Sequence, residues 1–355
     1  PEVALVQQSE TFGRSTLTWA ELQTRVASLA ARLRDMGVAQ GDRVVAVLPN
    51  TDAALIAFLA TASLGAIWSL CAPDMGQVAI LDRFRQIEPK VLIAQDGYVH
   101  AGKRVDKRAA LAEITEGLTS LVARITRPVA GDLPEGHYAW DDLLTDDAAL
   151  ETVQVPFDHP LWIVYSSGTT GNPKPIVHGH GGVALEASKQ SLHQDIGPED
   201  RFCWLTSSGW IMWNAQWAAL GQGARVCLFD GAPNHPDMSV VWRFVADEGL
   251  TYFGAGAAFF ASCMKAGLAP REAVELGALR SLGATGSPLS EDCYDWIYRE
   301  VKADVWLAPI SGGTDLAGAF VLGHPALPVR AGEMQARALG NAGRAFAPEG
   351  RGIFG

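Results

Sequence analysis

Short uninterrupted apolar runs alternate along the chain with stretches whose apolar residues recur at helical spacing. Val3-Ala4-Leu5-Val6 predicts a first strand, closed by a turn at Phe12-Gly13-Arg14. Thr18 followed by Glu21 has the spacing of a capping box; Leu22, Val26, Leu29, Leu33 and Met36 then share one helix face, and Gly37 stops it. Val44 to Leu48 reads as a buried strand, Pro49-Asn50-Thr51 opens an apolar helix that ends near Gly65, and Val91 to Ala94 is a further strand. The polar segment 131–147 reads as surface elaboration before Leu161 to Val164 resumes the sheet. Beyond it the pattern predicts helices near 183–193, 213–220, 239–248 and 257–266, interleaved with strands at 202–205, 225–229, 251–253, 280–283 and 305–308. Another helix is expected to be capped by Ser290, with Glu291 and Asp292 in its first turn.

This alternation predicts an α/β fold whose mostly parallel sheets are covered by helices, with ligands beyond the carboxyl ends of the strands. The expected division is a first α/β subdomain at 1–160 and a second, carrying the binding loops, at 161–355. A chain of 355 residues, 48% apolar and 19% charged, can bury a large core and exceeds one average domain. With 28 basic against 39 acidic residues the net charge is −11, which argues against a nucleic-acid partner. The five cysteines, Cys71, Cys203, Cys227, Cys263 and Cys293, show no paired spacing and read as reduced, buried thiols. Neither a leader nor a membrane-length apolar run is evident, so a soluble cytoplasmic protein without a membrane partner is expected.

Candidate chemistry concentrates in Gly-rich loops that follow strands. Tyr165 to Pro175, YSSGTTGNPKP, combines flexible glycines, hydroxyls and one lysine, the makings of a polyphosphate cradle. Asn172 and Pro173 separate Gly171 from Lys174, so it is not the ordinary P-loop. Taken alone, such a stretch also suits a surface turn with a solvated lysine. Two further loops, Gly283 to Pro288 and Ser311 to Asp315, leave later strands. His178 and His180, two apart with no nearby cysteine or carboxylate in sequence, make a poor zinc set and read as loop histidines. Most of the eleven tryptophans read as core, with Trp210 and Trp213 the exceptions that the family resemblance given below places in a pocket segment.

The stretch 165–175 resembles the signature loop of the adenylate-forming enzymes, which include acyl-CoA synthetases, luciferases and adenylation domains. The resemblance implies that Ser166, Ser167, Gly168, Thr169, Thr170, Gly171 and Lys174 hold the ATP phosphates, with Lys174 and Thr170 catalytic. It places Gly286, Ser287, Pro288, Ser311, Gly312, Gly313 and Thr314 around adenine, and assigns Asp315 to Mg²⁺. Ile176 to Gly182, Gly209 to Asn214, Ile310 to Asp315 and Gly332 to Gln335 are similar to a branch of that family, the acetoacetate–CoA ligases. This similarity runs from about Leu17 to Arg344.

That branch implies ATP, acetoacetate and coenzyme A as substrates, with Trp210, Ile211, Met212, Thr285 and Gly312 lining the acyl pocket. Acetyl- or propionyl-CoA synthesis, and a non-catalytic nucleotide- or acyl-binding domain, are the alternatives. The resemblance also implies that this chain is the large domain of a longer synthetase, without the lysine-bearing C-terminal domain. Ser311 stands where many relatives carry an aromatic residue, and Gly312 where acetyl-activating relatives carry a tryptophan. Gly312 then either deepens the pocket or meets a backbone requirement.

Overall fold

The structure is a computed structural model, and its described residues are 2–145, 148–166, 171 and 173–353. Two seven-stranded sheets organise it. The first runs in the order Pro175–Gly179, Pro160–Tyr165, Ile67–Cys71, Arg43–Val47, Val91–Gln95, Ala123–Arg127, Tyr138–Ala139. The second runs Trp306–Pro309, Ser281–Thr285, Tyr252–Gly256, Arg201–Trp204, Arg225–Asp230, Val3–Ser9, Gly13–Thr18. Pairing within both is parallel, apart from the antiparallel pairs formed by Pro175–Gly179 and by Gly13–Thr18 with their neighbours. The sheets do not divide at residue 160: the first takes strands from beyond it, and the second takes the N-terminal hairpin.

Strand residues are buried on both faces, and their two-residue period assigns alternate side chains to different layers. Val44 and Ala46 belong to a central cluster that also includes Phe202, Trp204, Val226 and Leu228 of the other sheet. The helix Asp52–Ser63 lies in that cluster, and its uniformly apolar sequence suits a position covered all round. Val45, Val47, Leu92 and Ala94 face the opposite way, onto the helices Gln77–Phe84 and Arg108–Gly117. Cys203, Cys227 and Phe253 pack against the helices Val240–Asp247, Ala257–Lys265 and Glu291–Trp296. All five cysteines are free and buried, as expected, and burial pushes the Cys71 thiol up to about 12.

Trp204 shows why small residues occur inside strands here. Its indole spreads over Gly254 and Gly283 of the next two strands, where a Cβ would stand 2.1 Å and 2.7 Å from the ring. Gly283, read in sequence both as the end of a strand and as the start of a loop, is thus an interior strand residue.

The capping box at Thr18 and Glu21 is present, and the helix Trp19–Asp35 buries the expected stripe before Gly37 turns at φ 85°. Ser290 occupies the cap position of Glu291–Trp296, but its side chain makes no capping hydrogen bond. The periodicity missed the strand Ile67–Cys71, the hairpin 97–106, both helices beneath the first sheet and the strand Ala123–Arg127. Trp213 is corrected from pocket to core: it is fully buried and meets Phe58 and Trp162 edge-on. Among the described residues, no helix is long and apolar enough to cross a membrane.

At the Val3–Ser9 and Arg225–Asp230 junction, Ser9 pairs with Asp230 and its hydroxyl donates to the carboxylate at 2.6 Å. Burial pushes Asp230 up to about 6 and Glu10 adds to the shift, while the Ser9 hydroxyl, His100 and Arg127 oppose it. A carboxyl raised in the fold contributes stability below its unfolded value near 3.8 and loses it as pH rises through about 6. Asp230→Asn is therefore expected to match the wild type near pH 4 and to exceed it by roughly 1–3 kcal/mol above pH 6. Denaturant melts from pH 4 to 8 check this; a stability difference that does not change with pH would rule out titration of Asp230 in this range.

Candidate functional site

The apolar run Leu161 to Val164 enters the first sheet as Pro160–Tyr165, and the chain returns antiparallel as Pro175–Gly179 with Tyr165 opposite Pro175. The Gly-rich stretch is therefore the connection of a hairpin, closed by Ser166 N–H donating to the Lys174 carbonyl at 3.3 Å. Its base is fastened from the first sheet's outer helix. Gln86 donates to the Pro173 carbonyl at 2.9 Å, the Tyr165 hydroxyl donates to the Arg83 carbonyl at 3.1 Å, and the Arg83 guanidinium lies 5.7 Å from the Tyr165 ring centroid. Burial pushes the Tyr165 phenol up. Gly171 and Lys174 are exposed; Ser167, Gly168, Thr169 and Thr170 lie outside the described residues.

The strands Ser281–Thr285 and Trp306–Pro309 end together. Ile310 N–H donates to Ala284 O at 2.8 Å, and the Thr285 hydroxyl donates to Ile310 O at 2.7 Å. The chain then folds into the antiparallel pair Ser311–Gly313 and Gly318–Leu322. His178, from the strand behind the signature loop, hydrogen-bonds the Thr314 carbonyl through Nε2 at 2.9 Å, and Asn214 donates to the Ala317 carbonyl at 2.6 Å. Side chains from an edge strand of the first sheet and from the helix Asn214–Gly221 thus clamp the 311–318 turn.

A cavity of about 410 Å³ opens beside that turn, within the size range of small-ligand sites. It brings together every residue expected around adenine and in the acyl pocket: Gly286, Ser287 and Pro288 from one strand end, Ser311 to Thr314 from the next, and Trp210, Ile211, Met212 and Thr285 beside them. Trp210 and Thr314 also line an adjoining cavity of about 290 Å³ that reaches Tyr165 and Arg83. Trp210 further borders a cavity of about 330 Å³ beyond the ends of both sheets, next to Asn50 and Asp230. The hairpin at 165–175, the residues expected in the acyl pocket and the two sheet ends converge on this indole. Lys174 and Asp315 do not line the large cavity; both side chains are exposed.

Gly312 lines the cavity with backbone. It does not adopt positive φ, so the turn requirement does not apply. A Cβ there would stand 2.1 Å from the carbonyl oxygen of Gly318 on the partner strand, so the constraint is close approach of two main chains.

The cavity's inner wall is the helix expected near 183–193, whose polar residues sequence reading did not single out as part of a site. His180–Gln194 is turned inside out: Leu185 and Leu192 are 57% and 65% exposed, while Lys189, Gln190, His193 and Gln194 are 9% exposed or less. Glu186, Lys189, Gln190 and Gln194 line the cavity. Lys189 Nζ lies 2.6 Å from Glu186 Oε1, and Gln190 donates to the Ala215 carbonyl at 3.0 Å. His193 accepts Leu339 N–H at Nε2, so Nδ1 carries the proton it donates to Gly323 O. The signal was present in sequence as a polar stripe at 186, 189/190 and 193/194, spaced three and four apart.

Residues 2–347 match the family described as AMP-binding enzyme. The chain belongs to the AMP-binding enzyme family. Within it, the chain is 40% identical over 99% of its length to an acetoacetyl-coenzyme A synthetase of Rhizobium meliloti and 40% over 96% to one of Gallus gallus. A solved structure of an acetoacetyl-CoA synthetase from Streptomyces lividans superimposes with a TM-score of 0.95 at 45% identity, over 99% of this chain and 55% of that one. The chain spans about half the length of the relatives it matches, 55% and 53% of the two synthetases. The α/β fold with mostly parallel sheets is that of the adenylate-forming large domain.

The Gly312 geometry generates a stability prediction. Gly312→Ala should cost roughly 1–3 kcal/mol by forcing apart the pair Ser311–Gly313 and Gly318–Leu322. Gly182→Ala, where a Cβ meets nothing within 4 Å, should be neutral or slightly stabilising. Thermal melts of the two variants compare them directly, and equal melting temperatures would show that the strands yield to a side chain.

Proposed function

We propose that this chain carries the nucleotide- and acid-binding part of an ATP-dependent acetoacetate–CoA ligase. The observation that carries the reading is the 410 Å³ cavity, where two post-strand loops and the Trp210 segment, separated by up to about a hundred residues, meet beside the signature hairpin. The relatives supply the acid, since they are acetoacetyl-CoA synthetases.

The reaction has two steps. A carboxylate oxygen of the acid attacks the α-phosphorus of ATP and the bond to pyrophosphate breaks; the coenzyme A thiol then attacks the acyl carbon and AMP leaves. In the first step two anions must approach, so positive charge and N–H donors aimed at the phosphates are the main requirement. Lys174, whose backbone is held at the end of the hairpin connection by Ser166 and whose neighbour Pro173 is held by Gln86, would neutralise the β- and γ-phosphates. The 286–288 and 311–314 segments would flank adenine, and Thr285, whose hydroxyl is already committed to Ile310 O, offers its methyl to the acid. Asp315 is exposed beside Thr314, and among the described residues its carboxylate makes no hydrogen bond or ion pair, which suits a hard cation that takes its other oxygens from phosphate and water. Mg²⁺ there would add charge neutralisation. Coenzyme A as co-substrate follows from the relatives' names.

An acetyl- or propionyl-CoA synthetase is the second reading. The test is thioester formation by the complete protein from ATP, coenzyme A and a panel of acetate, propionate, butyrate and acetoacetate. The highest kcat/KM for acetoacetate is expected; a preference for acetate or propionate would transfer the assignment, and no thioester from any acid would remove the ligase reading. In the same protein, Lys174→Ala should slow acid-dependent pyrophosphate exchange about ten- to a hundred-fold, the value of one charge-assisted contact of ~1.5–3 kcal/mol. Wild-type exchange in a folded variant would take Lys174 out of the mechanism.

A further inference from the structure

We propose that Lys189 selects the acid by donating a hydrogen bond to the carbonyl oxygen of a short oxo acid, at the end of the acyl chain away from the nucleotide. The inference rests on the acid-activating reading above and names the group that chooses among acids.

Several observations converge on this side chain. Lys189 is 8% exposed and lines the cavity, so it is withdrawn from bulk solvent at the edge of the ligand space. Apolar Val183, Ala187, Ala215, Trp217 and Leu322 line the same cavity, together with the uncharged amides of Gln190 and Gln194. Removing a charge from water beside such groups is unfavourable, and the ion pair with Glu186 at 2.6 Å only partly offsets the loss. A pocket built for a plain alkyl acid gains nothing from it.

The pair is also accommodated by the backbone. A Cβ on Gly318 would stand 1.8 Å from Glu186 Oε2, so the lack of a side chain at 318 makes the space this carboxylate fills. An ammonium has three donors. One goes to Glu186 and a long one, at 3.5 Å, reaches the Ala319 carbonyl, which leaves donor capacity for a ligand. Because Glu186 balances the charge, the site as a whole is neutral. It therefore favours a neutral carbonyl over a carboxylate, leaving the acid's own carboxylate to the nucleotide end. The choice of orientation and the choice of substrate arise from the same pair.

The test uses the complete protein with acetoacetate and butyrate, acids of equal chain length that differ by a carbonyl in place of a methylene. Acid-dependent pyrophosphate exchange gives kcat and KM for each. In Lys189→Met the ratio of kcat/KM for acetoacetate to that for butyrate should fall at least tenfold, mainly through KM for acetoacetate. Lys189→Arg should retain part of the preference. Because Lys189→Met strands the Glu186 charge, the double variant Lys189→Met with Glu186→Met provides a folded comparison in which the same loss of preference is expected. Parallel losses on both acids, or an unchanged ratio in either folded variant, would overturn the assignment of Lys189 alone. Failure of the wild type to activate acetoacetate would instead remove the underlying reading and the assignment with it.

Discussion

The structure depends on how two mostly parallel sheets are joined through a buried, largely apolar layer. The loop after Arg43–Val47 ends in Asn50, which is buried and donates to the Phe229 carbonyl of the other sheet at 3.3 Å while accepting from Gln216 at 2.8 Å. Ser208 donates to the Leu48 carbonyl at 2.6 Å across the same seam. Buried polar groups are tolerated when they satisfy one another, and here that requirement allows few arrangements of the sheets. The helix Asp52–Ser63 follows directly and fills the space between them with Phe58, Ala57 and Leu55. If the seam shifted, the apolar helix and both inner sheet faces would lose their partners together.

Joining the sheets in this way brings their carboxyl ends into one neighbourhood. Parallel strands of each sheet release their loops at the same end, and the loops carrying chemistry therefore meet although they are far apart in sequence. Trp210 occupies the meeting point and borders all three neighbouring cavities. Hydrogen bonds across elements then hold the 311–318 turn in place: His178 from the first sheet's edge hairpin and Asn214 from a helix under the second sheet. The site is preorganised by His178, which does not line the large cavity, and by Asn214, which does.

The inverted helix His180–Gln194 shows a different compromise. Exposed Leu185 and Leu192 and buried Lys189, Gln190 and Gln194 run against the usual preference, by which a surface helix hides its leucines. Such an arrangement persists when the buried polar groups find partners, and Glu186, the Ala215 carbonyl and the Gly323 carbonyl serve that purpose.

Local sequence determined what depends on neighbours a few residues away. The capping box at Thr18 and Glu21, the stop at Gly37, the alternation of buried strands with helices and the signature stretch 165–175 were all legible, because capping, periodicity and turn chemistry are short-range. The residues expected around one cavity came from the family resemblance, and they lie together there in segments that follow legible strands or end one. What tertiary structure alone decided depends on partners that the chain supplies from afar. Trp213 became core because Phe58 and Trp162 close on it, and Gly312 is a glycine because the Gly318 carbonyl lies across from it. The strand at the first sheet's edge, Pro175–Gly179, exists only because Pro160–Tyr165 pairs with it. The polar stripe of His180–Gln194 was visible, but which face of that helix would be buried was set by the cavity beside it, and a sequence does not display the space its own distant parts enclose.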